Sequence, residues 1–355
     1  MRTGGEMFSA LQTRAGSGRR HPRTLRPALA ATIGILLTSC TSAGSAETHA
    51  AARMPAPSDG PGSSGRVYVT NQQDNTLSVI DAHTYKVLAT VKTGTAPEGV
   101  AVTPDGRSVY IAENGSAQVA VLDTSNNKIT TTVSVEKSPT GISITPDGRS
   151  LYVANGGSNT VSVIDTGTNR VTARIPVGRS PVNVAFSRDG STAYVANSGS
   201  GTLSVIDTRT RRVTGNLPAG RSPVGVVVTP DGKSAYVADE VAARVLSVDT
   251  RTRKTTEVPV GEGPFDVAIG PDATSVYAAV LGPGKVSVID TGSNRVSSTI
   301  SVGPPGTDPF NLEVTSHAIY VTEQAAGTLT VIDPKSRKVL ATVTVGNSPY
   351  GLAVS

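Results

Sequence analysis

Cysteine is almost missing from this sequence: Cys40 is the only one, tryptophan is absent, and 355 residues hold four phenylalanines and four histidines. A lone cysteine excludes an intrachain disulfide and a CxxC metal knuckle. Scarce aromatics leave any core to Val, Ile, Leu and Ala, of which the β-branched members suit strands. Only His83 and His317 lie beyond residue 64, so a general base, a haem ligand or the partner of a serine nucleophile has few places to sit. No phosphate-binding glycine pattern precedes a helix, since the Gly199-Ser200-Gly201 run has no helical stretch after it. A basic excess is missing as well. Six of the 32 Lys and Arg and one of the 27 acids fall within residues 1–39, so the remainder carries 26 of each. A neutral domain has no footprint for phosphates, and nucleic acid is not an expected partner.

The N-terminal 39 residues read as an address. An Arg-rich stretch over residues 14–26 precedes a short apolar run from Ala28 to Leu37. That run is too short for a bilayer span and fits the apolar region of a signal peptide. Leu37-Thr38-Ser39-Cys40 resembles the lipobox of bacterial lipoproteins. The resemblance implies cleavage before Cys40, lipid attachment to its sulfur, and anchoring at the outer face of the cytoplasmic membrane or the cell surface. Residues 41–64 are mostly Ala, Ser, Gly and Pro and are expected to be a flexible tether. The expected organisation is a signal peptide (1–39), a lipidated Cys40 with its tether (40–64), and one domain over 65–355.

That domain repeats itself. Tyr68, Tyr110, Tyr152, Tyr194, Tyr236, Tyr277 and Tyr320 recur at spacings of 41–43 residues, and an Asp follows each by thirteen, from Asp81 to Asp333. Such a period points to propeller blades or helical arrays. The composition selects the first, because each unit contains four short Val/Ile-rich runs bounded by Gly, Pro, Asn, Asp or Ser. We denote these strands a (from the Pro), b (from the Tyr), c (ending at the Asp) and d. The first unit begins at strand b, and the last stops after a Pro349–Ser355 segment that matches strand a. The expected fold is therefore all-β: a single seven-bladed propeller of four-stranded antiparallel blades, its ring closed by the C-terminal strand joining the N-terminal blade.

Tyr68-Val69-Thr70-Asn71 spells the signature of the YVTN β-propeller repeat family, and residues 152–155 and 194–197 read YVAN. The resemblance covers residues 66–355 and implies an extracytoplasmic, often surface-associated protein. The wider group of propellers contains lactonases, haem-handling proteins and streptogramin lyases, so the fold alone does not name a function.

The repeat serves as an internal control, and departures from it mark candidate sites. Two residues after the strand-a Pro stands Gly in four units, but Asn183, Asp266 and Asn311 in the others. Four residues after it stands a small or aliphatic residue everywhere except at Glu313. An inserted Gly303-Pro304-Pro305-Gly306 breaks the spacing just before this unit. The resemblance implies that ligands use the mouth formed by the d–a and b–c loops, so a polar site is expected there from Asp266, Asn311 and Glu313, with Glu323 of the b–c loop and Asn183 as further candidates. Carboxylates plus an amide suit a cation or a hydroxyl-rich ligand. No cofactor is evident; a divalent cation between Asp266 and Glu313 is the candidate metal. Lys137, Arg179 and Arg221, each two residues before a strand-a Pro, form a cationic arc that could orient an anionic ligand or simply be a solvated rim. The function expected is a lipoprotein acting as a non-catalytic binding or scaffold module, with the membrane as one partner and a protein, glycan or small molecule as another. The alternative is a carboxylate- or metal-dependent hydrolase resembling a lactonase.

Overall fold

The computed structural model describes residues 65–355; the expected signal peptide, Cys40 and the expected tether lie outside the described residues. Twenty-eight strands make seven four-stranded antiparallel sheets. Blade 1 contains β1 (Arg66–Asn71), β2 (Thr76–Asp81) and β3 (Val87–Lys92), completed by the C-terminal β28. Blade 2 runs from β4 (Pro97–Val102) to β7 (Lys128–Ser134), and blade 3 from β8 (Pro139–Ile144) to β11 (Arg170–Pro176). Blade 4 spans β12 (Pro181–Phe186) to β15 (Arg212–Pro218), and blade 5 β16 (Pro223–Val228) to β19 (Thr255–Pro259). Blade 6 spans β20 (Pro264–Ile269) to β23 (Arg295–Ser301), and blade 7 β24 (Pro309–Val314) to β27 (Val339–Thr344). In chain order, these lead to β28 (Pro349–Val354).

The repeated residues hold the strands in register. Each recurrent Asp ends strand c, or in blade 7 directly follows it, and accepts turn N–H groups, as Asp81 does from Thr84 at 2.7 Å and Asp165 from Thr168 at 2.8 Å. The Pro-Asp-Gly turns close the a–b hairpins: Thr103 donates to Asp105 at 2.6 Å and Gly106 takes φ 69°, a value that glycine adopts without strain. The recurrent Tyr crosses to the next blade. Tyr110 donates to Asn169 Oδ1 at 2.7 Å in blade 3, and Tyr236 to Asn294 Oδ1 at 2.7 Å in blade 6. The last signature residue ties its own hairpin, Asn71 donating to Ser78 Oγ at 2.9 Å and accepting from the Gly346 N–H at 3.1 Å.

The core lies between blades, with both faces of each sheet covered. Tyr68, Leu77 and Val79 of blade 1 pack on Val100, Val109, Ile111, Ala120 and Leu122 of blade 2. The same arrangement recurs round the ring to the contact of Val67, Val69 and Ile80 with Tyr320, Leu329 and Val331 of blade 7. Burial of each such aliphatic side chain contributes about 1.5–3 kcal/mol. Closure is the strand exchange that the unit boundaries anticipate. Strand β28 pairs antiparallel with β1, placing Val354 opposite Val67 and Leu352 opposite Val69. Thr70 Oγ1 fastens the seam by accepting from the Gly351 N–H at 2.9 Å and donating to the Glu98 carbonyl at 2.6 Å in blade 2.

The innermost strands are the a strands, and they approach one another closely around the axis. A Cβ at Gly99 would collide with the Thr140 carbonyl, one at Gly141 with the Val182 carbonyl, and one at Gly351 with the Glu98 carbonyl. In these three blades the neighbouring backbone therefore leaves room for glycine alone. We expect Gly141→Ala to destabilise the propeller by about 1–3 kcal/mol in denaturant unfolding, with no change of fold by circular dichroism; an unchanged midpoint would mean that the inner ring tolerates expansion.

Candidate functional site

Where the glycines give way, side chains enter the axial channel. A cavity of about 360 Å³ opens there, and Asn183, Asp266, Asn311 and Glu313 all line it, together with Phe265, Tyr350 and Glu240. Asp266 belongs to blade 6, lies against Gly225 of blade 5, and accepts from the Leu312 N–H of blade 7 at 3.3 Å. It is buried. Burial pushes its carboxyl up to about 7, against the pull of the Leu312 and Val267 N–H groups. Glu313 sits two residues farther along blade 7, half-buried but ringed by protein. Burial is again the main cause of its rise to about 8; the Val354 N–H opposes it and the Asp266 charge adds to it.

The structure adds a feature that the sequence reading missed. One residue after the strand-a Pro, blades 6, 7 and 1 carry Phe265, Phe310 and Tyr350, where blades 3, 4 and 5 carry Thr140, Val182 and Val224. Phe265 and Phe310 stack with ring centroids 3.6 Å apart, and Phe310 meets Tyr350 at 4.6 Å. Blade 2 carries Glu98 in the same position. It is buried, and its Oε1 accepts from Gln72 Nε2 at 2.9 Å. Its Oε2 has no partner among the described residues. Burial raises this carboxyl to about 7, with Gln72 and Asn114 opposing. Burial also holds the Tyr350 hydroxyl well above its ordinary range, with the Glu98, Asp266 and Glu240 charges adding to it. Two of only four phenylalanines falling in register on adjacent blades was the signal available in the sequence.

Glu323 is placed differently from Asp266 and Glu313. It ends the buried strand Ile319–Glu323, receives the Thr330 hydroxyl, and is absent from the channel lining. This is the position of Asn71, where Glu113 accepts from the Gly94 N–H at 2.6 Å and Asp239 from the Arg221 N–H at 2.9 Å. Its carboxyl therefore serves the blade's own hairpin. Lys137, Arg179 and Arg221 are exposed in d–a loops outside the channel lining, and none forms an ion pair among the described residues. Among the described residues, no Lys or Arg lines the channel cavity. His317 is exposed in an a–b loop beside Ser316, at the end of the blade opposite the mouth. Among the described residues, no group of three or more His, Cys, Asp or Glu gathers as a metal-ligand set.

The chain matches the model of the YNCE-like beta-propeller family over residues 21–354. It belongs to that family. A 45-residue stretch is 44% identical to "Uncharacterized protein YncE" of Salmonella typhi and spans 13% of either chain, and the same holds for the Salmonella typhimurium protein. Among solved structures, Kuenenia stuttgartiensis hydrazine synthase superposes with a TM-score of 0.64 at 24% identity over 78% of this chain and 92% of that one. A functionally unknown protein from Desulfotomaculum acetoxidans DSM 771 superposes with a TM-score of 0.68 at 18% identity, over 81% and 98% of the two chains. The dihydro-heme d1 dehydrogenase NirN gives 0.61 at 15% identity, over 81% and 74%. At these identities the likeness is one of fold.

The raised carboxyls make a sign-specific prediction. The folded state keeps protons on Asp266 and Glu313 that the unfolded chain releases near pH 4. Stability therefore falls as pH rises from that range through about 7–8. The turn aspartates, such as Asp165, are held low by their side-chain and backbone donors and act in the opposite sense, losing stability only as pH falls below the ordinary range. The thermal midpoint is expected to be higher near pH 5.5 than near pH 8.5, roughly spanning that window, and Glu313→Gln or Asp266→Asn should each shrink the difference.

Proposed function

We propose that this YNCE-like propeller is an exported, lipid-anchored binding module without catalysis, and that its ligand is a small organic cation seated at the channel mouth between blades 6, 7 and 1. The observation that carries this reading is a single sector in which the carboxyls of Asp266 and Glu313 line the cavity with Phe265 and Tyr350, with no basic side chain of the described residues in the lining. Carboxylates and aromatic faces both attract a cation, and a ring face contributes about 2 kcal/mol once the charge is desolvated. The volume, about 360 Å³, suits a small molecule. A cation would meet the carboxyls in their ionised form, so its affinity rises with pH through the range in which they titrate.

Calorimetric titration with tetramethylammonium, calcium and glycerol separates the readings. Tetramethylammonium is expected to bind near pH 8.5 and to weaken by about tenfold or more near pH 5.5, in Asp266→Asn and in Phe265→Ala, as the loss of a desolvated cation contact implies. Stoichiometric calcium binding without tetramethylammonium binding would favour the metal-dependent hydrolase. Binding of neither would remove the cation seat. For the anchor, the native protein is expected in the membrane fraction, with Cys40→Ser shifting it to the soluble fraction.

A further inference from the structure

A second departure from the repeat lies on the outer circumference, far from the channel. Each d strand begins on or just after a base, which is followed by an aliphatic or Thr residue and then a third position. In four blades the third residue caps the neighbouring strand: Thr130 donates to the Val121 carbonyl at 3.1 Å, Thr172 to Val163 at 3.3 Å, Thr214 to Val205 at 3.2 Å and Ser297 to Val288 at 3.2 Å. Blade 5 also has a hydroxyl there, on Thr256. Blades 7 and 1, neighbours across the closure seam, instead carry Leu340 and Leu88, which are 50% and 51% exposed. Each gives up a hydrogen bond to put an isobutyl group into water. Val339 and Val87 beside them are exposed as well. Packing does not require these leucines, because the other five blades do without them.

The surroundings say what covers them. Lys86, Lys335, Arg337 and Lys338 are exposed in and beside the c–d turns that precede the two leucines. The acids of those turns, Asp81 and Asp333, are the recurrent Asp residues that accept the turn N–H groups. The chain arrives at this same place: the Gly65 carbonyl accepts from the Ala82 N–H at 2.8 Å, in the c–d turn of blade 1. Ala82 and Tyr85 of that turn pack against the core cluster that contains Tyr320 of blade 7, so the turn is seated on the closure seam. The propeller therefore joins the segment from Cys40 beside an apolar strip fringed with bases. Aliphatic side chains with flanking Lys and Arg are the composition that settles into the headgroup layer of an anionic bilayer.

We propose that Leu88 and Leu340, with Lys86, Lys335, Arg337 and Lys338, form a contact surface for an anionic lipid bilayer, which seats the propeller with its channel mouth turned away from the membrane. The proposal deepens the lipid-anchored reading and rests on it for the direction of the tether. The d–a and b–c loops that form the mouth lie at the opposite end of the blades from these c–d turns, so the docked orientation leaves the candidate ligand seat open.

The test uses residues 41–355, the tether and the closed propeller without the Arg-rich and apolar segment of residues 14–37, sedimented with vesicles of equal phosphatidylglycerol and phosphatidylcholine, or of phosphatidylcholine alone. Binding to the anionic vesicles is expected to fall about tenfold when Leu88→Thr and Leu340→Thr are combined. Thr is the residue that other blades carry, so the pair should keep its unfolding midpoint. Lys335→Glu with Lys338→Glu, which touches no packing, should lower binding similarly, and raised salt should do the same. Equal binding of the variants, or no difference between the two vesicle types, overturns the proposal. A concentration-dependent dimer abolished by the leucine pair also overturns it, in favour of a second copy of this chain. Mass measurement of Cys40 in membrane-extracted native protein tests the anchor separately: an unmodified sulfur would remove the anchor reading while leaving the vesicle result to decide the surface.

Discussion

Face-to-face packing of twisted sheets is the constraint on which everything else here depends. A four-stranded blade is apolar on both faces, and a single blade would leave both exposed to water. Each interface solves half of that problem for two blades at once, as Tyr68 and Leu77 do against Val109 and Ile111. A linear stack would still leave two bare ends. Bending the stack into a ring removes them, and the exchange of β28 into blade 1 makes the seam part of a sheet, so that opening it breaks a ladder as well as an apolar contact.

Close approach at the axis is the cost of that geometry. The ring converges on the a strands, where there is room for a glycine facing the next backbone and little more. A side chain at this radius must point into the channel or displace a neighbour. Asn183, Asp266 and Asn311 take the first course, and their polar ends then face a narrow, poorly solvated space. The raised carboxyls of Asp266 and Glu313 follow from this position, with burial outweighing the backbone N–H groups that favour the charge. The same convergence brings Phe265, Phe310 and Tyr350 into contact, although 45 and 40 positions separate them in the chain.

Position within the repeat decides what a given residue type can do. A carboxylate at the end of strand b has local donors within reach: d–a loop N–H groups for Glu113 and Asp239, and the strand-c Thr330 hydroxyl for Glu323. A carboxylate on strand a, as in Glu313, has only the channel and its neighbours' backbone. On the outer circumference, a hydroxyl closes a bond to the adjacent strand, whereas Leu88 and Leu340 leave that bond unmade and face outward.

The architecture was legible without coordinates. The Tyr and Asp markers keep a common period, each unit contains four β-branched runs, and the terminal segments are complementary halves of one unit. Those are local or one-dimensional properties, and a propeller is built from local hairpins plus nearest-neighbour contacts. The odd residues on strand a were legible for the same reason, since seven copies show what an ordinary blade carries there. Glu323 was harder to read, because a carboxylate that binds local donors and one that faces a channel look alike in a sequence. The aromatic cluster and Glu98 escaped because their meaning lies between blades. Three unremarkable positions become one surface only when the ring closes. Sequence alone determined the strands, the count of blades and the way the ring is sealed; the tertiary structure alone decided which side chains meet at the axis, because burial and contact there are set by curvature across several blades and by no pattern within one.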